Sequence, residues 1–156
     1  TVRRNVSPIA KKTQLTVLEI LLKEKNVEKA INYVQTIIKQ LRNNTLPLED
    51  VTLYTQLQKP IDAYENKGPH VRAAELMKEQ GKQVLPGVSI YYVITKGKGT
   101  IGDRVKLPEN TKQEEYDGEY YITNQVVPGV EKILAVLGHT TQELLKDHKQ
   151  QTLAGF

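Results

Sequence analysis

Few side chains in this 156-residue chain are of the kinds that make or break bonds, and those few are dispersed. The three histidines, His70, His139 and His148, lie far apart and match no metal spacing such as His-Glu-x-x-His on a helix. Cysteine is absent, which removes disulfides, thiolate metal sites and a cysteine nucleophile. Lys96-Gly97-Lys98-Gly99-Thr100 has the glycines and lysines of a phosphate loop. It lacks the Gly-Lys-Ser ending, however, and joins one strand-like segment to another instead of opening a helix that would aim its amides at phosphate. It reads as a hairpin with basic side chains. Glu114, Glu115, Asp117 and Glu119 are close in sequence, but carboxylates two residues apart on a helix point in different directions, so a solvated acidic loop is expected. No set of residues forms an active site, and binding is the chemistry left to consider.

The charges are segregated. Arg3, Arg4, Lys11 and Lys12 make the first dozen residues basic, and Lys96, Lys98, Arg104 and Lys106 form a second basic stretch. The formal net charge is only +4, so an affinity for nucleic acid rests on this placement, whose field is felt over about 8 Å at physiological salt. Eight tyrosines without tryptophan are a skewed aromatic set, and tyrosines beside basic residues can stack on bases or bond phosphate. At least one of each pair Tyr91/Tyr92 and Tyr120/Tyr121 is expected in the core. Tyr64 is set apart by Lys59, Lys67 and the Gly68-Pro69-His70 turn that follows it. His70, at a helix N-terminus, would have its neutral form favoured by the helix dipole.

The elements that must position these residues are legible from periodicity. Ser7-Pro8 is a helix start, and the helix it opens runs to about Glu24 with Leu15, Leu18, Leu21 and Leu22 on its inner face. Asn26 caps a second helix with the stripe Val27, Ala30, Ile31, Val34, Ile37, Ile38 and Leu41, expected to pair antiparallel with the first. Pro47 and Pro60 break the next region, around a short extended stretch at Val51 to Tyr54. Gly68-Pro69 opens a helix of about three turns that Gly81 closes. Val88 to Thr95 alternates as a strand, and Ile101 to Leu107 is expected to return as a second, giving a small sheet that must lean on the helices. A long helical pattern from Asp117 to Leu137 contains Pro128, which predicts a kink near Val127. Thr140 or Thr141 caps a last short helix through Lys149. The expected class is α+β, mainly helical, with a small antiparallel β-hairpin insertion.

A chain of this length is about one domain. At 38% hydrophobic and 26% charged residues, with no apolar run near the roughly 20 residues of a membrane span, a soluble protein is expected, and the lack of a secretion signal predicts the cytoplasm.

Five ordered blocks of this sequence resemble the thumb of archaeal family B DNA polymerases. Val2-Arg3-Arg4 with Ser7, Ile9 and Ala10 is similar to the passage from palm to thumb. Gln56 to Ala74, with Lys59, Tyr64 and Gly68-Pro69-His70-Val71, resembles the central thumb motif. Pro86-Gly87 with Tyr92-Val93-Ile94, and then Ile101-Gly102-Asp103-Arg104, resembles the thumb hairpin. Asp117-Gly118-Glu119-Tyr120-Tyr121-Ile122 with Asn124-Gln125-Val126 and Pro128 resembles the last long helix. The departures are Asn5-Val6 for an acidic-tryptophan pair, Gln58 for a common threonine and Glu65 for a basic residue. On this resemblance, residues 1–87 are the first part of a helical thumb, 88–111 the β insertion, 112–147 the last part and 148–156 a tail.

The resemblance implies a part that follows the minor groove of primer-template duplex and holds it without reading sequence. Arg3, Arg4, Gln56, Gln58, Lys59, Tyr64, His70, Arg72 and Arg104 are its implied DNA-contacting or supporting residues. The catalytic aspartates, and the Mg2+ they hold, belong to a large part containing exonuclease, palm and fingers, so no cofactor is expected on this chain. The chain is expected to be either a recombinant fragment or the natural small chain of a split polymerase, and Thr1 fits the first residue that protein splicing leaves downstream. In the tail, Gln150, Leu153 and Phe156 have the spacing of the peptide by which replication proteins dock on a sliding clamp, the apolar pair forming a plug on one helical turn. The competing readings are a stand-alone DNA-binding or clamp-recruiting module without a catalytic partner, and a structural subunit whose basic stretches are mere surface.

Overall fold

In the computed structural model the structure describes residues 6–136 and Gly138. These residues divide into two compact units: Pro47–Asp117 with the short stretch 6–8, and Ile9–Leu46 with the chain from Gly118 onward. The fold is mainly helical with a small three-stranded antiparallel sheet, as the class α+β requires.

In the second unit, α1 (Pro8–Glu19) continues into a π-helical turn at Ile20–Glu24. Lys25 ends it in the left-handed conformation, and Asn26 caps α2 (Val27–Arg42) by accepting the Lys29 N–H at 3.0 Å. The apolar stripe of α2 is buried as expected from Ala30 to Leu41, while Val27 is half-buried. The inner face of α1 corrects the sequence reading. Ile9, Ala10, Thr13, Val17 and Ile20 are buried, whereas Leu15 and Leu22 are exposed and Leu18 and Leu21 half-buried. Both sets recur at helical spacing, so periodicity could not choose between them. Thr13 hides its hydroxyl on the inner face by donating to the Ile9 carbonyl at 2.7 Å.

The long pattern after Asp117 is α5 (Gly118–Tyr121), a π-helical turn (Ile122–Val126) and α6 (Val127–Val136). The widened turn is the irregularity that Pro128 predicted, set just before it. A proline inside an α-helix loses one hydrogen bond and crowds the carbonyl four residues back, and a shift of the ladder there makes room for its ring. Leu137 and the predicted helix from Thr140 or Thr141 to Lys149 lie outside the described residues. Gly118 fixes α5 on α2. A Cβ built on it would strike the Leu41 carbonyl oxygen and lie 2.6 Å from the carbonyl carbon, so only glycine allows this approach.

In the first unit, a short helix α3 (Leu48–Val51) leads into β1 (Leu53–Gln56). A single 3-10 turn (Ile61–Ala63) precedes α4 (Pro69–Glu79), and β2 (Ser89–Ile94) pairs with both β1 and β3 (Val105–Lys106) in the order β1-β2-β3. Leu53 faces Tyr92 and Thr55 faces Ile90 on the buried side. On the other side, Tyr54 lies against Tyr91 with ring centroids 5.1 Å apart, both about half exposed. The helix α4 packs on β2 and β3 through Val71, Ala73 and Ala74, giving the sheet the support it needs. The expected strand Ile101–Leu107 is only two residues long. Thr100 to Asp103 closes as a turn in which the Asp103 carboxylate accepts both the Thr100 N–H and its hydroxyl, each at 3.0 Å. A 3-10 turn (Gly102–Arg104) follows before pairing resumes.

Candidate nucleic-acid interface

Gln56 closes β1, and the ladder runs one residue further, with the Leu57 N–H donating to Val88 and the Gly87 N–H to the Leu57 carbonyl. Leu57 is buried, so Gln58, Lys59 and Pro60 leave the sheet as an exposed corner over a fixed base. Ile61, buried in the 3-10 turn, returns the chain to the core. Tyr64 then turns back on the corner. Its hydroxyl accepts the Gln58 N–H at 3.0 Å, and the Lys59 Nζ sits 4.9 Å from its ring centroid.

His70 completes the group from α4. Gly68 is the residue ahead of the helix, Pro69 its first, and the Gly68 carbonyl accepts from both Val71 and Arg72. The imidazole of His70 meets the Tyr64 ring edge-on at 5.4 Å and 81°. Burial lowers its pKa from the ordinary 6.5 and so favours the neutral form. Five of the residues singled out in the sequence, Gln56, Gln58, Lys59, Tyr64 and His70, are thus brought to one corner.

The remaining candidates are placed otherwise. Arg72 is one turn into α4, with its guanidinium 3.6 Å from Glu75 and 3.5 Å from Glu79. Lys67 bonds Glu75 at 2.9 Å; that bond raises the lysine pKa and lowers the glutamate's. A shallow depression of about 400 Å3 between the 3-10 turn and α4 is lined by Asp62, Arg72, Glu75, Lys78 and Glu79. Its three carboxylates against two cations make it a poor seat for phosphate. Arg104 points inward: its NH1 donates to Asp117 at 2.5 Å and to the Thr95 carbonyl at 3.1 Å, and its side chain is 16% exposed. Its Nε is buried with no hydrogen-bond partner. Arg3, Arg4, Gln150, Leu153 and Phe156 lie outside the described residues.

The phosphate-loop look of Lys96 to Thr100 dissolves on the same grounds. The amide of Thr100 is taken by Asp103, whose pKa those bonds lower, and Gly97 and Gly99 have φ of 143° and 99° to make the reversal. The acidic residues are also divided. Glu115 accepts from Lys106 and from the Lys112 N–H, Asp117 from Arg104 and Glu119 from Arg42. No group of three histidine, cysteine or acidic residues that could hold a metal ion occurs among the described residues. Two features escaped sequence reasoning. The inward turn of Arg104 had no sequence signal, because its acceptor is 13 residues away; the exposed Tyr54-Tyr91 pair needed the register of β1 on β2.

Residues 1–137 match the family described as DNA polymerase family B. The chain belongs to that family. This family B chain is 43% identical over 155 residues to a DNA polymerase of Methanocaldococcus jannaschii, covering 99% of the chain and 10% of that protein. It is 41% identical over 155 residues to DNA polymerase 2 of Aeropyrum pernix, covering 99% of the chain and 19% of the relative. The family B DNA polymerase structure from Pyrobaculum calidifontis superposes with a TM-score of 0.78 at 33% identity, over 89% of this chain and 19% of that one. The chain thus spans about a tenth to a fifth of the length of these archaeal relatives.

Proposed function

We propose that this family B chain is the thumb of a DNA-directed DNA polymerase and holds primer-template duplex by backbone and minor groove. The observation that carries the reading is the corner at Gln56 to His70. It presents two glutamine amides and an ammonium over a rigid base, and holds the cation against an aromatic face. Amides can donate to minor-groove acceptors common to every base pair, and a lysine meets phosphate as a point charge, so such a corner grips duplex without selecting sequence.

The acidic groups suit the same division of labour. Family B polymerases use Mg2+, but Glu115, Asp117 and Glu119 are each engaged by a different cation, and no group of three histidine, cysteine or acidic residues among the described residues fits such a centre. Nucleotide transfer is assigned to a larger part with exonuclease, palm and fingers, which this chain joins as a small chain or as a continuous segment. Within the chain, Gln56, Gln58 and Lys59 are assigned to contact, Arg3 and Arg4 to the approach from the palm, and His70 to support. Arg104 is reassigned from contact to internal bracing, and Arg72 is offset by its own carboxylates. Gln150, Leu153 and Phe156 are assigned to a sliding clamp. The role belongs to the cytoplasm; no described helix is long and apolar enough to cross a membrane.

Primer extension tests the proposal. A catalytic large part carrying exonuclease, palm and fingers is assayed alone and with this chain added or joined to it. Synthesis that becomes processive only with this chain is expected; synthesis indifferent to it refutes the reading.

A further inference from the structure

Lys59 differs from its basic neighbours in what holds it. The charges of Lys67 and Arg72 are offset by Glu75 and Glu79 at 2.9 to 3.6 Å, and a phosphate would have to displace a carboxylate to reach them. The Nζ of Lys59 instead lies 4.9 Å from the centroid of the Tyr64 ring. A π face attracts an ammonium through its quadrupole while carrying no net charge, so it orders the cation without neutralising it.

Tyr64 is itself fixed from two sides. Its hydroxyl accepts the Gln58 N–H at 3.0 Å, and its ring abuts His70 at 5.4 Å on the first turn of α4. With Lys59 over the ring and the hydroxyl engaged on the corner, the face toward Lys59 offers no platform for a base. We propose that Tyr64 is a positioning residue: it holds the Lys59 ammonium, ordered and uncancelled, for a phosphate of the nucleic-acid backbone. The inference rests on the reading that this corner meets duplex DNA, and it changes the part Tyr64 plays from contact to support.

The test is binding of a labelled mixed-sequence duplex by the full chain, followed by fluorescence anisotropy over a salt series. Lys59→Met is expected to flatten the slope of log K against log salt by about 0.9, a loss of about fivefold at roughly 0.15 M salt. Tyr64→Leu should reproduce most of both effects, and the double variant should be little worse than Lys59→Met alone. Tyr64→Phe, which keeps the ring, should keep the wild-type slope. A merely structural role for Tyr64 does not move the slope. Independent losses that multiply in the double variant overturn the inference, as does an unchanged slope in Tyr64→Leu. Should that variant unfold, proton NMR of the wild-type chain decides. Upfield ring-current shifts of the Lys59 ε-methylene are expected, and their absence overturns the inference. A wild-type chain that holds no duplex at all refutes the DNA reading, and this inference falls with it.

Discussion

Gly118→Ala provides a severe test of the packing described above, because helix propensity and tertiary contact predict opposite signs. Gly118 opens α5, and alanine in a helix is favoured over glycine by at most about 1 kcal/mol. Against this stands a collision with backbone. The new Cβ would overlap the Leu41 carbonyl oxygen and lie 2.6 Å from its carbon and 3.2 Å from the Arg42 nitrogen. None of these atoms can rotate away, since they belong to the last turn of α2, whose stripe from Ala30 to Leu41 is buried. Overpacking relieved by backbone shifts costs about 1–3 kcal/mol, and a clash with backbone alone belongs at the top of that range. After the propensity gain is deducted, a net loss of about 2 kcal/mol is expected. For a chain of this size that corresponds to a Tm lower by about 4–8 °C. The assay is thermal and urea denaturation followed by circular dichroism, with Gly81→Ala alongside. Gly81 has φ of +84° and nothing within 4 Å of a built Cβ, so its variant should lose only about 1 kcal/mol of backbone strain. A Gly118→Ala protein as stable as wild type, or more stable, would refute the close approach of α5 to α2.

Further outcomes are expected. Asp117→Ala leaves the mostly buried Arg104 guanidinium without its carboxylate and should cost about 2–3 kcal/mol in urea denaturation; replacing Arg104 by Met as well should recover much of it. Arg104→Met by itself should leave duplex affinity within about twofold of wild type. His70 titrates below its unfolded value of 6.5, so the unfolded state takes up a proton first. The stability that the neutral imidazole contributes is therefore present above about pH 6.5 and lost as pH falls through the folded value, and His70→Gln should flatten the stability profile below about pH 6.5. On α1, Val17→Ala should cost about 2 kcal/mol, whereas Leu15→Gln should stay within about 0.5 kcal/mol despite removing the larger apolar group, both read from urea midpoints.

What the sequence determined by itself was local. Asn26, Pro69 and Gly81 mark helix ends through backbone hydrogen bonding and φ preference, and these act between neighbours. The stripe of α2 was legible because only one apolar face is on offer, and the corner from Gln56 to His70 was legible because it occupies fifteen consecutive residues. Tertiary structure decided wherever the sequence offered two equivalent answers or a partner far along the chain. On α1 two apolar stripes compete, and packing buried Val17 in place of Leu15 and Leu22. Arg104 has the same charge whether it faces a phosphate or Asp117; only the fold brings that carboxylate within 2.5 Å and turns the guanidinium inward. Lys59 and Lys67 are alike as residues. The fold sets one against the face of Tyr64 and the other against Glu75, and so leaves the charge of Lys59 available and offsets that of Lys67.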